Sequence, residues 1–590
     1  MNKNYLFGVP YSYFFSILFG MCLAFYVFPL SFIAGTGLFW ENANAEIFYD
    51  DLSQALIGAR YFIFDSWHFP LLKTKLLGAP DGTVIIFTDS IPLFAIIAKL
   101  IWFILPKGFN YIGIWYFLVW TLQPVSAVYA LRSIGIKKFF PTLCVILMST
   151  AMPAWWFRGG HAALTGHFLI LFSIGNYFHL RGDIQARKSW ICSWLTVIFA
   201  ALVHAYLLLM VLLITIAGVL DGVWDKDSSI KYLAIFRSFF GLIILIALLW
   251  MVGYFHGFEA RSGFGHYSMN LLSPIVPQIS GLFPGRKIID ATGGQYEGYN
   301  YLGFGILIIL GAALIKIRKW FKQLICNFIF LTIACIAMVL FALSNKIYFG
   351  NTLILEVFLR EDFGLLQFRS SGRLFWPVSY LILLAGVVLI NRFYSSRRGK
   401  FILIISIIFQ IIDVSAVQQN IINYVRSAEP RNPFVNDFWK HIVTTHNNII
   451  FLPTFYCSLD REWQKNIINL SIITSYYNIP INTASAARRP VSLDCEVEKR
   501  NVFERSIGEG DLIIIAPEFK NMISKFPEFS THCSSFNKGF GGVSAVDMPT
   551  INQLNIKQLT SSISTSEALP QGFLCSNNYY EDFSKLNNFN

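Results

Sequence analysis

Charge is scarce in this sequence: 14% of its 590 residues are Asp, Glu, Lys or Arg. A soluble domain carries about 25%, so a water-soluble globule is excluded. The low apolar content of disordered chains is equally missing, since 55% of residues are hydrophobic. Cysteine is sparse, at nine residues, and none shows C-x-x-C or C-x-x-H spacing, which removes support for a zinc site. No Gly-rich phosphate loop follows a predicted strand and no G-x-S-x-G occurs. No fixed period recurs.

What is present is apolar length. The aromatic share is 17%, with 57 Phe, which suits lipid-facing helices and interfacial belts. The class is an α-helical polytopic membrane protein. The formal charge of +12 belongs to basic loops between apolar runs, not to a nucleic-acid surface.

Apolar runs cover residues 12–40, 110–131, 139–157, 163–180, 190–220, 234–255, 300–315, 324–343, 374–390 and 401–417. The first is longer than a signal-peptide core of about 7–15 residues and is expected to be an uncleaved span. The 190–220 run is too long for one crossing and is expected to split at His204. About eleven transmembrane helices result. Basic loops at 132–138, 181–188, 226–237, 316–322 and 392–400 are expected in the cytoplasm. Loops 41–109, 158–162, 256–299 and 345–373 are then outside. Residues 91–105 are apolar but would invert the charge pattern if they crossed, so they are expected as an interfacial or re-entrant helix.

After about residue 420 no run reaches the roughly 20 residues needed to span a bilayer. Residues 421–590 read as a small α/β soluble domain outside the membrane, with strands at 448–453, 471–475 and 512–516 and helices at 462–470 and 517–526. Four cysteines lie there (Cys457, Cys495, Cys533, Cys575), and three disulfide pairings are open. Residues 576–590 are polar and expected to fray.

The long first outer loop holds most of the candidate chemistry. Residues 51–64 carry an apolar stripe (Leu52, Ala55, Leu56, Ala59, Phe62, Ile63), with Asp51, Gln54 and Gly58 on another face. Such a helix lying on the membrane would hold Asp51 at the water–lipid boundary, where a carboxylate can accept a proton from a sugar hydroxyl. The alternative is that Asp50 or Asp51 caps the helix. Asp89 lies further along the loop. Arg158, Arg369 and Arg373 can bind a phosphate through the guanidinium fork. Arg369 and Arg373, spaced i, i+4, would share a helix face; snorkelling to the interface is the other reading. His161, His167, His204, Tyr206, Glu297, Tyr299 and Asn300 are candidate substrate contacts on the same side. A buried His is more often simply hydrogen-bonded, and Asn300 could cap a span.

The stretches DLSQALIGARYF (51–62), WHFPL (67–71), GAPDGTVIIFTDSIPL (78–93), GHAALTGH (160–167), HYSMNLL (266–272), EGYNYLG (297–303) and FRSSGRLFWP (368–377) resemble a bacterial family of polytopic membrane proteins grouped with the GT-C glycosyltransferases. The resemblance covers most of the membrane part and extends to residues 480–488. It implies a GT-C-like transmembrane domain (1–420) whose first outer loop (39–109) holds juxtamembrane helices and an acid base at Asp51, and a periplasmic domain (421–590). Asp50 stands where relatives have a small residue, so the choice between the two acids stays open. His204–Ala205–Tyr206 stands where relatives show His-Pro-Tyr. The implied activity is a hexosyltransferase of the inner membrane. It would move a sugar from an undecaprenyl-phosphate donor to a periplasmic glycan such as O-antigen, as in lipopolysaccharide modification. No cofactor is demanded and a divalent cation is left open. The alternative is a transporter or flippase for a lipid-linked saccharide.

Overall fold

The structure is a computed structural model. It describes residues 5–6, 9–36, 38–41, 43, 51–259, 263–285, 289–317, 321–358, 367–426, 432–490, 493–504, 507–523, 525, 533–536 and 572–576. The chain forms two compact units. One comprises residues 1–34, 112–250 and 260–427, the other residues 35–111, 251–259 and 428–590. The loop expected as part of the membrane domain thus belongs to the same unit as the C-terminal region.

The first unit is helical. Among the described residues, six helical stretches are long and apolar enough to cross a bilayer: Ile112–Ser133, Phe139–Gly160, Ala205–Val223, Ser228–Val252, Ser371–Phe393 and Ser396–Arg426. The chain is accordingly a helical membrane protein. Shorter apolar helices occupy Tyr11–Val27, Phe304–Ile317 and Ile329–Leu343. Along Ser228–Val252, Tyr232, Phe236 and Phe239 are exposed, as expected of a helix whose solvent is lipid. The first helix ends at Val27, well short of residue 40; short turns at Leu30–Ile33 and Leu38–Glu41 follow. Pro29 has no N–H to extend the helical ladder.

The 190–220 run breaks where expected, into Arg187–Ala201 and Ala205–Val223. His204 leaves helical geometry and its Nδ1 accepts from Tyr206 N at 3.1 Å. Two acids inside apolar helices serve as caps for their neighbours. Asp221 accepts from Phe330 N and Leu331 N (both 3.1 Å) and from Tyr177 Oη (2.7 Å). Asp413 accepts from Phe304 N and Tyr301 Oη (both 2.7 Å) and from Ser280 Oγ. Asn300 is therefore not the cap of the span after it, which begins at Phe304. Gln410 binds Ala151 O (2.8 Å) and Leu302 O (3.1 Å) and accepts from Ile306 N. Gly303, at φ +90°, allows this approach, because a Cβ there would meet the Gln410 amide at 2.1 Å.

In the second unit, helix Asp51–Phe64 packs against helix Arg461–Tyr477. Leu52 through Ile63 are all buried, Gln54 and Arg60 included. This corrects the expectation of an amphipathic surface helix: its polar side is covered by protein. Arg60 binds the carbonyls of Trp40 (3.2 Å), Gly108 (3.0 Å) and Ile472 (3.4 Å), and Tyr61 Oη donates to Ile479 O (2.7 Å). Residues 91–105 form a nine-residue helix, Pro92–Leu100, and a turn at Trp102–Ile104. At about 1.5 Å per residue this is too short to cross.

The sheet of this unit runs, in order, Cys533–Phe536, Gly572–Ser576, Asp511–Ile515, Asn448–Leu452. The last two pair in parallel and the others antiparallel. Residues 471–475 are helix, not strand. Asp460 caps Arg461–Tyr477 by accepting from Glu462 N (2.9 Å), and Asn478 ends it at φ 59°. A well-started helix overrides the β-branched run. Of the helix expected over 517–526, the described residues show the turn Pro517–Phe519 and the short helix Lys520–Ile523. The disulfides are Cys457–Cys495 and Cys533–Cys575. Residues 577–590 lie outside the described residues.

Candidate functional site

Three short 3-10 turns of the first unit bring charge together. Phe157–Gly160 carries Arg158, Gln295–Gly298 carries Glu297 and Ser371–Phe375 carries Arg373. The first turn is pinned by Tyr116 Oη donating to Gly159 O (2.5 Å), and the segment after it by Trp115 Nε1 to Ala162 O (2.7 Å). The other two turns touch through glycine. A Cβ on Gly372 would lie 2.5 Å from Gly298 Cα, and one on Gly298 would lie 2.2 Å from Ser268 O. Larger residues would force the turns, and their charges, apart.

Glu297 is the hub. Its Oε2 accepts from Arg158 Nη1 (2.8 Å) and from Arg373 Nη2 (2.5 Å) and Nε (3.1 Å). Its Oε1 lies 3.3 Å from His161 Nε2. Arg158 Nη2 also reaches Glu297 O at 3.0 Å. Burial pushes the Glu297 carboxyl up, but the guanidiniums of Arg158 and Arg373 and then His161 outweigh it and hold it well below the usual carboxylate range. Among the described residues, two guanidiniums share this one carboxylate. An anion placed here meets charge-assisted donors in a buried setting, where they are strongest.

Tyr206 floors one side. The Arg373 guanidinium sits 4.9 Å above its ring, its Oη accepts from Ser370 N (2.8 Å), and His204 stacks on it at 5.5 Å. Residues 368–370 are not helical and Ser371–Phe375 is a 3-10 turn, so Arg369 and Arg373 do not share an α-helical face. Arg369 instead lies 5.4 Å over the Tyr267 ring. His167 stands on Trp376 at 4.3 Å, and the Arg158 guanidinium is 5.8 Å from that same indole.

The other expected contacts part company. Tyr299 is buried against Phe157, with its hydroxyl donating to Ile279 O (3.3 Å). Asn300 Nδ2 donates to Gly298 O (3.0 Å) and Gly372 O (2.8 Å), tying the two turns together. Both are supports for the cluster rather than open contacts. In the second unit, Asp51 is the first residue of its helix and half-buried, while Gln54 is buried within it. Asp89 follows the turn Ile85–Thr88 at φ 56°. Asp50 lies outside the described residues.

Among the described residues, no group of three or more His, Cys, Asp or Glu converges as a metal site requires. Sequence reading passed over Asp221, Asp413, Gln123 and Tyr380. The available signal was an acid or amide inside an apolar run, which is costly in lipid unless partnered.

The family model "Domain of unknown function (DUF6311)" matches residues 17–415. The chain belongs to the DUF6311 family. The DUF6311 match takes in all three turns of the charge cluster and helix Asp51–Phe64, and stops before residues 428–590. No curated protein matches the chain.

Proposed function

We propose that this DUF6311 protein is an inner-membrane glycosyltransferase of GT-C type. It takes a sugar from a polyprenyl-phosphate donor and places it on a hydroxyl of a periplasmic glycan. The observation that carries the reading is the convergence of two guanidiniums, Arg158 and Arg373, at Glu297, with Tyr206 and His161 beside them. A departing phosphate needs such a cluster. In the reaction the acceptor oxygen attacks the anomeric carbon, the bond from that carbon to the phosphate oxygen breaks, and polyprenyl phosphate leaves. Asp51 takes the acceptor's proton. The configuration inverts in this single displacement, and the leaving phosphate is already an anion, so no second acid is required.

The two disulfides of the second unit support its location in an oxidising, periplasmic compartment. The eleven crossings belong to this reading through the alternation of basic loops; six helical stretches among the described residues are long and apolar enough to cross.

The test is sugar transfer in membranes with synthetic polyprenyl-phosphate sugars. Asp51→Asn keeps size and helix-start preference but cannot take a proton, so transfer should fall about 100- to 10,000-fold at unchanged abundance. Normal transfer by that variant would remove Asp51 as the base. No transfer by the unaltered protein with any such donor would remove the enzyme reading.

A further inference from the structure

A buried polar chain runs beside the charge cluster, and the direction of each of its hydrogen bonds can be worked out. Gln123 Nε2 lies 3.2 Å from Ser149 O and 2.8 Å from Tyr380 Oη. A backbone carbonyl only accepts, so the amide nitrogen faces it and the amide cannot be reversed. Gln123 therefore donates to Tyr380. The phenol's own proton then has one acceptor in reach among the described residues, His167 Nδ1 at 2.9 Å. Since Nδ1 accepts, the imidazole is neutral and its proton is on Nε2.

That Nε2–H is buried in a residue 1% exposed and has no hydrogen-bond partner among the described residues. The same is true of the Nε1–H of Trp376, also 1% exposed, on which the His167 ring stacks. An unsatisfied buried donor costs free energy, and two in contact call for an explanation. Both belong to the neighbourhood of the Arg158 guanidinium. Neutral donors of fixed direction next to a cation suit oxygen acceptors that carry negative charge.

We propose that Gln123 and Tyr380 are positioning residues that lock His167 as its Nε2–H tautomer, and that His167 and Trp376 donate to a phosphoryl oxygen of the bound ligand. This deepens the transferase reading and rests on it for the source of the phosphate, a polyprenyl phosphate. The chain Ser149–Gln123–Tyr380–His167 acts as a brace: each link denies the next the opposite proton arrangement.

The experiment measures binding of geranyl phosphate, a short polyprenyl phosphate, to the purified full chain in detergent, with geraniol and inorganic phosphate alongside. Asn and Gln separate the two ring nitrogens, because Asn places its amide near Nδ1 and Gln near Nε2. His167→Asn should keep its thermal midpoint near that of the unaltered protein, through the Tyr380 contact, but lose roughly tenfold or more in affinity, the worth of a hydrogen bond to a charged group. His167→Gln should lower the midpoint yet bind within about threefold of the unaltered protein, because a donor to a charged group is retained. Tyr380→Phe should fall between in affinity, since the imidazole is then free to carry its proton on either nitrogen. Inorganic phosphate following the same ranking would support the site and make the free anion its ligand. Equal binding by the Asn variant and the unaltered protein would overturn the proposal, as would an equal loss in Asn and Gln or no binding of any phosphate. Binding with this ranking but without sugar transfer would leave the site standing and remove the transferase reading alone.

Discussion

Replacing Glu297 with Ala takes away the carboxylate that Arg158, Arg373 and His161 share. Arg158 is 1% exposed and Arg373 is 9% exposed, so neither guanidinium can move into water without distorting its turn. Breaking a buried pair by removing one partner costs about 3–5 kcal/mol, because the other charge is left buried and uncompensated. Here two guanidiniums lose the same carboxylate at once. In a unit of this size, about 2 °C is lost per kcal/mol, so the thermal midpoint should drop by about 6–10 °C. The assay is thermal unfolding of the purified protein in detergent, read by intrinsic Trp fluorescence. pH provides a second readout. A carboxyl held low in the folded state contributes stability that is complete above its unfolded value of about 4.3. That contribution is lost only as pH falls through the lower folded value. The gap between the unaltered protein and Glu297→Gln should therefore not narrow between pH 7.5 and pH 5.5, where a proton gained by His161 only strengthens its pairing with Glu297. A midpoint for Glu297→Ala within 2 °C of the unaltered protein (about 1 kcal/mol) would refute the reasoning. So would a gap that closes between pH 7.5 and pH 5.5.

Asp413→Asn should lower the thermal midpoint by several degrees. The amide cannot accept on both sides from Phe304 N, Tyr301 Oη and Ser280 Oγ, and an unsatisfied buried donor costs about 1–3 kcal/mol; an unchanged midpoint would show that the cap is dispensable. Lys99 is buried, donates to Phe62 O (2.8 Å) and Ser66 O (3.0 Å), and burial pulls its amine down to about 8, against a smaller upward pull from Asp65. The unfolded chain binds the extra proton between about pH 8 and pH 10.4, so stability carried by Lys99 should rise with pH across that window. Lys99→Met should flatten that rise in denaturant titrations, and an identical slope would contradict it. Cys457, Cys495, Cys533 and Cys575 should resist a maleimide mass tag until reduced. Four such tags appearing without reductant in isolated membranes would place the second unit in a reducing compartment.

The sequence alone determined the apolar helices, because their signal is local composition and length. It also determined the break at His204, because 31 residues from 190 to 220 exceed one crossing and a polar side chain lies near the middle. The parallel strands Asn448–Leu452 and Asp511–Ile515 were readable as continuous apolar runs of the buried type. Most of the candidate residues were nameable one by one, as Arg, His and Glu beside spans, each alongside an ordinary reading such as snorkelling or a simple hydrogen bond. Only the tertiary structure decided how they meet. The shared face of Arg369 and Arg373 depended on a helix, and the chain makes a 3-10 turn there because Gly372 must lie against Gly298. The open face of Asp51–Phe64 is covered by a helix whose Thr474 is 413 positions from Tyr61, and no local pattern carries such a contact. Two disulfides were chosen from three pairings by where the strands and loops carry their cysteines. Glu297 became the hub of two arginines because turns 139 and 76 positions away close on it. Periodicity and composition act within a turn or a strand, whereas a buried charge is settled by whichever distant groups the folded chain packs against it.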